Sequence, residues 1–205
     1  LAFYMLTHFQ GYTGELYPEL VVVSALSVDC ICILLSLTEW LKNQQSEYSQ
    51  NYNQARIDPL TNIGNRYALN EQLARVKGNS TLVFIDLDGM KLINDTLGHE
   101  KGDLLLKDTA RLMSKKINQW GNVFRTGGDE FIWVIDLSRQ QRLTTTLSNI
   151  KKLIDEVEFE LRTQGWSEIG ISFGFASTSE TKTISECLTL ADQRMYEHKR
   201  GKQLG

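Results

Sequence analysis

The chain has 205 residues, 41% apolar and 23% charged, with a formal net charge of −3. That length suits one domain of ordinary size plus a smaller segment, with enough apolar content to fill a core. The slight acidity gives no support to a nucleic-acid surface, which is normally basic. Three cysteines, Cys30, Cys32 and Cys187, form neither a disulfide framework nor a zinc spacing, and they fit a reducing compartment. The first residue is Leu1, so the sequence reads as a piece of a longer chain.

The N-terminal stretch differs from the rest. Leu20 to Leu37, "LVVVSALSVDCICILLSL", carries one charge, Asp29. With the flanking Trp40 and Leu41 it approaches the ~20 residues that cross a bilayer as a helix. No Lys or Arg precedes Lys42, which places the C-terminal side in the cytoplasm. Tyr17 and Trp40 sit where interfacial aromatics would, "LAFYML" fits the tail of an earlier span, and "THFQGYTGELYPE" fits the loop between. Asp29 opposes this reading, because a mid-span carboxylate costs roughly 2.5–3.5 kcal/mol on insertion scales. The competing reading is a buried helix of a soluble sensory domain, which would leave the whole protein soluble and cytoplasmic.

Residues 38–57 are polar and free of glycine and proline until Asp58-Pro59. Leu41, Gln45, Tyr48, Tyr52 and Ala55 follow a four-three spacing, the stripe of a coiled coil, although two heptads equally suit a solvated helical stalk. The expected organisation is a hydrophobic segment over 1–41 with a span at about 20–41, a helical linker over 42–57, and a catalytic domain over 58–205.

From Asp58 the pattern alternates. "STLVFIDLD" is an apolar strand ending in acids, and Leu106, Ala110, Met113 and Ile117 recur at helical spacing. "NVFRTGGDEFIWVI" reads as two strands around a glycine turn. Leu143, Leu147, Ile150, Ile154, Val157 and Leu161 form a long apolar stripe, and "EIGISFGFAS" is another strand. The last helix opens on a capping box, Thr183 and Glu186, and places Ile184, Cys187, Leu188, Ala191 and Met195 on one face. The order β-α-α-β-β-α-β-α predicts an α/β (α+β) fold, a mixed sheet flanked by helices.

Two acidic clusters punctuate these strands: Asp86 and Asp88, then Asp129 and Glu130. Neighbouring strands lie about 4.7–4.9 Å apart, so Asp86 and Asp129 can meet if their strands pair. Clustered carboxylates repel, and a hard divalent cation such as magnesium relieves that repulsion. The alternative is that these acids merely cap turns, the stronger reading for Asp88. Gly127 and Gly128 let a ligand approach the backbone, but they also make an ordinary hairpin turn. In "NDTLGHEKGD", Asn94, His99 and Asp103 surround a glycine turn, and Asn and Asp can read a base edge. Here the plainer reading is a helix C-cap at Gly98 and an N-cap at Asp103.

Together, "FIDLDGMKLINDTLGHEKGD" and "RTGGDEF" resemble the GGDEF family of diguanylate cyclases. "DPLTNIGNR" resembles that family's opening box, and "ISFGFAS" and "ADQRMYEHK" resemble its later strand and last helix, covering about residues 57–203. The resemblance implies a mostly antiparallel sheet similar to the nucleotide-cyclase and polymerase palm. It implies that two GTP molecules become cyclic di-GMP and two pyrophosphates across a homodimer, with two Mg2+ (or Mn2+) ions per site. Asp86 and Asp129 match metal-ligating side chains, and Leu87 matches a carbonyl ligand. Asp129 and Glu130 match the catalytic acids of the hairpin, with Asp129 as proton acceptor beside Gly127 and Gly128. Asn94, His99 and Asp103 match guanine-side positions. Lys91, Lys199 and the main chain near Gly89 and Met90 match phosphate-side positions. The implied setting is a bacterial inner membrane with the catalytic domain in the cytoplasm.

Three departures stand out. Met90 replaces an aromatic. "HKRGK" is one residue shorter than usual after Lys199, with Lys202 where arginine is common, which weakens the case for phosphate contacts there. The Arg-x-x-Asp product-inhibition motif falls on Asn118 to Gly121, "NQWG", with neither charge. The expectation is an active cyclase without that feedback site. The alternative is a degenerate module that binds GTP or a protein partner without catalysis.

Overall fold

The computed structural model describes residues 18–76, 78–136 and 147–203. The "LAFYML" span tail, residues 7–17 of the expected loop and Leu143 lie outside that set, while Pro18 and Glu19 of that loop are helical. The chain divides into two compact units, residues 1–54 and 55–205.

In the first unit, helix α1 runs from Pro18 to Gln54. It continues unbroken through the change from apolar to polar composition near Leu41, and Ala55, last residue of the expected seam, lies beyond its end. Val22–Glu47 is long and apolar enough to cross a membrane, with mean hydropathy 1.9 and none of it buried within the unit. Two hydroxyls in it bond back to the helix: Ser27 Oγ donates to Val23 O at 2.7 Å and Thr38 Oγ1 to Leu35 O at 2.8 Å. Such back-bonding satisfies each hydroxyl within the helix itself.

The second unit opens with α2 (Arg66–Arg75), then β1 (Ser80–Asp88), α3 (Met90–Leu97), α4 (His99–Ile117), β2 (Gly121–Arg125), β3 (Glu130–Asp136), α5 (Leu147–Thr163), β4 (Gly170–Ser177) and α6 (Ile184–Gln203). The predicted β-α-α-β-β-α-β-α order appears from β1 onward, and α2 is an addition to it. The "GNR" of the opening box starts α2. Asn65 Oδ1 accepts the Tyr67 and Ala68 N–H groups, while its Nδ2 donates to Ala55 O and Ile57 O.

The sheet order is β2-β3-β1-β4, and every named pair is antiparallel. Among the described residues the parallel pairing is an isolated bridge, Gly64 to Phe124. Side chains alternate across a sheet with period two, and β1 shows the consequence. Val83, Ile85 and Leu87 join the core that includes residues of α4 and α5. Leu82 joins the opposite core, with Ala68 and Leu69 of α2 and Cys187 and Ala191 of α6. Both faces are covered, so β1 reads as a continuous apolar run. The same alternation carries Phe84, Asp86 and Asp88 onto the α6 face.

The helical stripes behave as their spacing predicts. Leu106, Ala110, Met113, Ile117, Ile150, Ile154, Val157 and Leu161 are buried. Thr183 Oγ1 accepts the Glu186 N–H at 3.1 Å, but the Glu186 carboxylate reaches back to the Lys182 N–H at 3.0 Å, not to Thr183. Asp103 is not an N-cap. Gly98, at φ 86°, ends α3 and opens α4 at once, so α4 begins at His99 and Asp103 falls about a turn inside it.

Candidate functional site

Strand pairing assembles the acids. β1 runs between β3 and β4, and Asp86 has Glu130 as its partner on one side and Ser172 on the other. The Leu87 N–H donates to Asp129 O at 3.2 Å, tying the hairpin to the end of β1. The expected neighbourhood of Asp86 and Asp129 therefore exists. Like charges directly opposite on paired strands repel, and both sides feel it. Burial pushes the Asp86 carboxyl up, and Asp129 and Asp88 push the same way; Lys199 counters them incompletely. Burial raises Glu130 as well, aided by Asp129, Asp86 and Asp192, with Arg66 opposing.

Helix α6 brings the counter-charge. On the α6 face, β4 presents Ser172, Gly174 and Ala176, all buried and small. A Cβ at Gly174 would overlap backbone atoms of Ala191, Arg194 and Met195, so glycine is what lets α6 lie this close. From that seat Lys199 Nζ reaches Asp86 Oδ1 at 2.6 Å. Lys202 Nζ reaches Asp88 Oδ2 at 3.2 Å and Ile171 O at 2.7 Å. Ser172 Oγ donates to Asp88 at 2.8 Å. Asp88 is thus held by a lysine and a serine, in line with its structural reading.

The remaining predicted residues lie on the adjoining helices. Gly89 caps α3 at φ 86°, exposed, with Met90 buried behind it and Lys91 exposed on the first turn. Asn94 is half-buried on α3, while His99 and Asp103 are exposed on α4. Gly102, which precedes Asp103 on α4, packs against the Asn94 side chain: a Cβ there would overlap Asn94 Oδ1 and crowd Met90 Cε at 2.9 Å. A cavity of about 510 Å³ is lined by Gly89, by the bases Arg162, Lys199 and Lys202, and by the acids Asp88, Glu158 and Glu168. Gly127 is half-buried and Gly128 exposed on the turn between β2 and β3.

The sequence reading passed over the clamp behind that turn. Arg125 Nη1 donates to Asp58 Oδ1 at 2.9 Å, and Arg125 Nε and Nη2 donate to Gly128 O at 3.2 and 2.9 Å. Asp58 also accepts from the Thr61 N–H at 2.9 Å and the Thr61 hydroxyl at 2.5 Å. Burial alone would raise the Asp58 carboxyl, but the Thr61 and Arg125 bonds outweigh it and hold it below the usual range. The visible signal was an arginine closing an apolar strand just before the glycine pair.

Among the described residues, no three His, Cys, Asp or Glu side chains converge as a ready-made metal cage. Two carboxylates and a main-chain carbonyl, as Asp86, Asp129 and Leu87 could offer, are the kind of sparse oxygen set that magnesium shares with phosphates. Mutual repulsion among Asp86, Asp88, Asp129 and Glu130 leaves negative charge for a divalent cation to neutralise. The residues fit the cation that the resemblance implies.

Residues 55–204 match the family described as "Diguanylate cyclase, GGDEF domain". Diguanylate cyclase DgcN of Escherichia coli is 29% identical over 187 residues, 87% of this chain and 46% of that protein. An uncharacterized membrane protein of Staphylococcus haemolyticus is 30% identical over 153 residues, 70% of this chain and 43% of that protein. The chain therefore spans less than half of either relative. The coiled coil and GGDEF domain of DgcB from Caulobacter crescentus, solved with c-di-GMP, shares the fold at a TM-score of 0.72 and 23% identity, covering 84% of this chain and 95% of that one.

Proposed function

The chain belongs to the GGDEF diguanylate cyclase family, and on that premise we propose that it condenses two GTP molecules into cyclic di-GMP and two pyrophosphates. The observation that carries this is the acidic corner where the GGDEF hairpin meets β1: Asp86 opposite Glu130, and Leu87 bonded to Asp129, facing Lys199. Asp86, Asp129 and the Leu87 carbonyl would hold magnesium or manganese, two ions per site, which supply polarisation of the α-phosphate and a lower pKa for the attacking hydroxyl. Asn94 and Asp103 read the guanine edge from α3 and α4, with His99 beside them. Gly89, Met90, Lys91 and Lys199 take the phosphates, at the α3 N-terminus and across the cavity. Asp129 receives the 3′-hydroxyl proton, with Glu130 next to it.

One site holds one GTP, and the nucleophile is the hydroxyl of another. Two protomers facing each other supply both, and holding them in register replaces a bimolecular encounter by positioning. Helix α1 supports a membrane tether through Val22–Glu47, with the catalytic unit on the cytoplasmic side of a bacterial inner membrane. The polar turns of α1 serve as linker from that tether to the catalytic domain over 58–205.

The test is direct. The 205-residue chain in detergent micelles, given GTP and magnesium at protein concentrations that favour dimers, should yield cyclic di-GMP and pyrophosphate. Asp129→Asn should abolish the product while leaving the thermal transition in place. No product from the unmodified chain would sink the proposal.

A further inference from the structure

Lys199 stands at two places at once. Its ammonium is 2.6 Å from Asp86 Oδ1, and its side chain also lines the cavity beside Gly89. The Asp86 side chain is 13% exposed and that of Lys199 33%, so the pair is partly shielded from water. The neighbouring lysine is fixed otherwise: Lys202 is shared between Asp88 and the Ile171 carbonyl. Of the two basic residues that α6 brings over β1, Lys199 is therefore the one holding a carboxylate assigned to the metal.

We infer that Lys199 is an internal counter-cation of Asp86 which metal and triphosphate displace together, so that this chain binds its divalent cation weakly until nucleotide arrives. The inference deepens the reading above and rests on its assignment of Asp86. A divalent ion on Asp86 and an ammonium on the same carboxylate repel each other. A triphosphate in the adjoining cavity gives the ammonium a second anion within reach of the same flexible stem. Each ligand then removes an obstacle to the other, and by linkage the coupling must be reciprocal. The shortened segment after Lys199 belongs to the same device. Its three-residue spacing lets Lys202 strap the end of α6 to Asp88, which leaves Lys199 as the mobile cation.

The experiment reads metal binding, not turnover. Mn2+ binding to the full chain is followed by electron paramagnetic resonance, with and without a GTP analogue carrying a methylene between the α and β phosphorus atoms. Unmodified chain, Lys199→Met, Lys199→Arg and Asp86→Asn are compared, each first checked for its thermal transition. Lys199→Met should bind nucleotide-free Mn2+ about tenfold tighter than the unmodified chain, within the usual range of coupling between sites. Lys199→Arg, which keeps the ion pair, should stay weak. The analogue should tighten Mn2+ for the unmodified chain far more than for Lys199→Met. Asp86-dependent binding in the unmodified chain with no gain in Lys199→Met would overturn the inference and leave the metal site standing. Binding that Asp86→Asn does not alter would overturn both.

Discussion

Replacing Arg125 by Met tests the clamp behind the hairpin. The Arg125 and Asp58 side chains are 13% and 18% exposed, at 2.9 Å. Exposed ion pairs contribute about 0–1 kcal/mol, and removing one partner of a fully buried pair costs about 3–5 kcal/mol. This pair lies nearer the buried end, but Thr61 still donates twice to Asp58, and water can serve the exposed Gly128 carbonyl. A loss of about 3 kcal/mol follows, or roughly 6–12 °C in the midpoint of a domain this size. Chemical denaturation of the unmodified chain, Arg125→Met, Asp58→Asn and the double variant measures it. The cycle should return a coupling of about 1–2 kcal/mol. Because Arg125 also fixes the peptide just before Asp129, turnover of the folded variant should fall more than GTP affinity. Lysine should not rescue it, since a single ammonium cannot serve Asp58 and Gly128 O as a planar fork does. Additive single losses, or a total under about 1 kcal/mol, would refute the clamp.

Three further outcomes are expected. Gly102→Ala should push Asn94 aside and raise the KM for GTP about tenfold, the equivalent of about 1.4 kcal/mol, with little change in kcat; initial rates across GTP concentrations check it. The Asp58 carboxyl has a folded-state pKa below its ordinary 3.8, so its contribution is complete above that value and is lost as pH falls through the lower one. Acid denaturation below about pH 4 should therefore be shallower for Asp58→Asn than for the unmodified chain. Finally, Asn118 and Gly121 bring no charge to the positions of the Arg-x-x-Asp motif, although a cavity of about 590 Å³ is lined there by Arg75, Asn118, Trp120 and Asp136. Low micromolar cyclic di-GMP should leave the initial rate unchanged, as followed by pyrophosphate release.

The strands and most helices were legible because each obeys a single period. β1 is apolar on both faces, and the α4 and α5 stripes recur every three or four residues, so pattern alone places them. Helix α2 was hidden: only Ala68 and Leu69 of its ten residues are buried, and its start depends on Asn65 bonding residues ten and eight positions back. The Asp103 cap misled because Asp is a good capping residue, whereas here a glycine with positive φ joins two helices without a loop.

Which acid does what could not be read from spacing, and the sheet supplies the reason. Asp86 and Asp88 are two residues apart and share a face, so spacing alone treats them alike, although the resemblance singled out Asp86. β4 separates them: Asp86 and Asp88 pair with Ser172 and Gly170 in the register, yet the Ser172 hydroxyl turns to Asp88, and Lys202 follows it. Asp86 is left with Glu130 opposite and the Asp129 backbone bonded next door. One carboxylate becomes a strap and the other is left for the proposed metal, through contacts made by a strand residue 84 positions later in the chain. The small residues of "ISFGFAS" carry that choice, since without Gly174 helix α6 could not lie close enough for Lys199 to reach Asp86 at all. The site is therefore specified as much by the seat of α6 as by the acidic motif it completes.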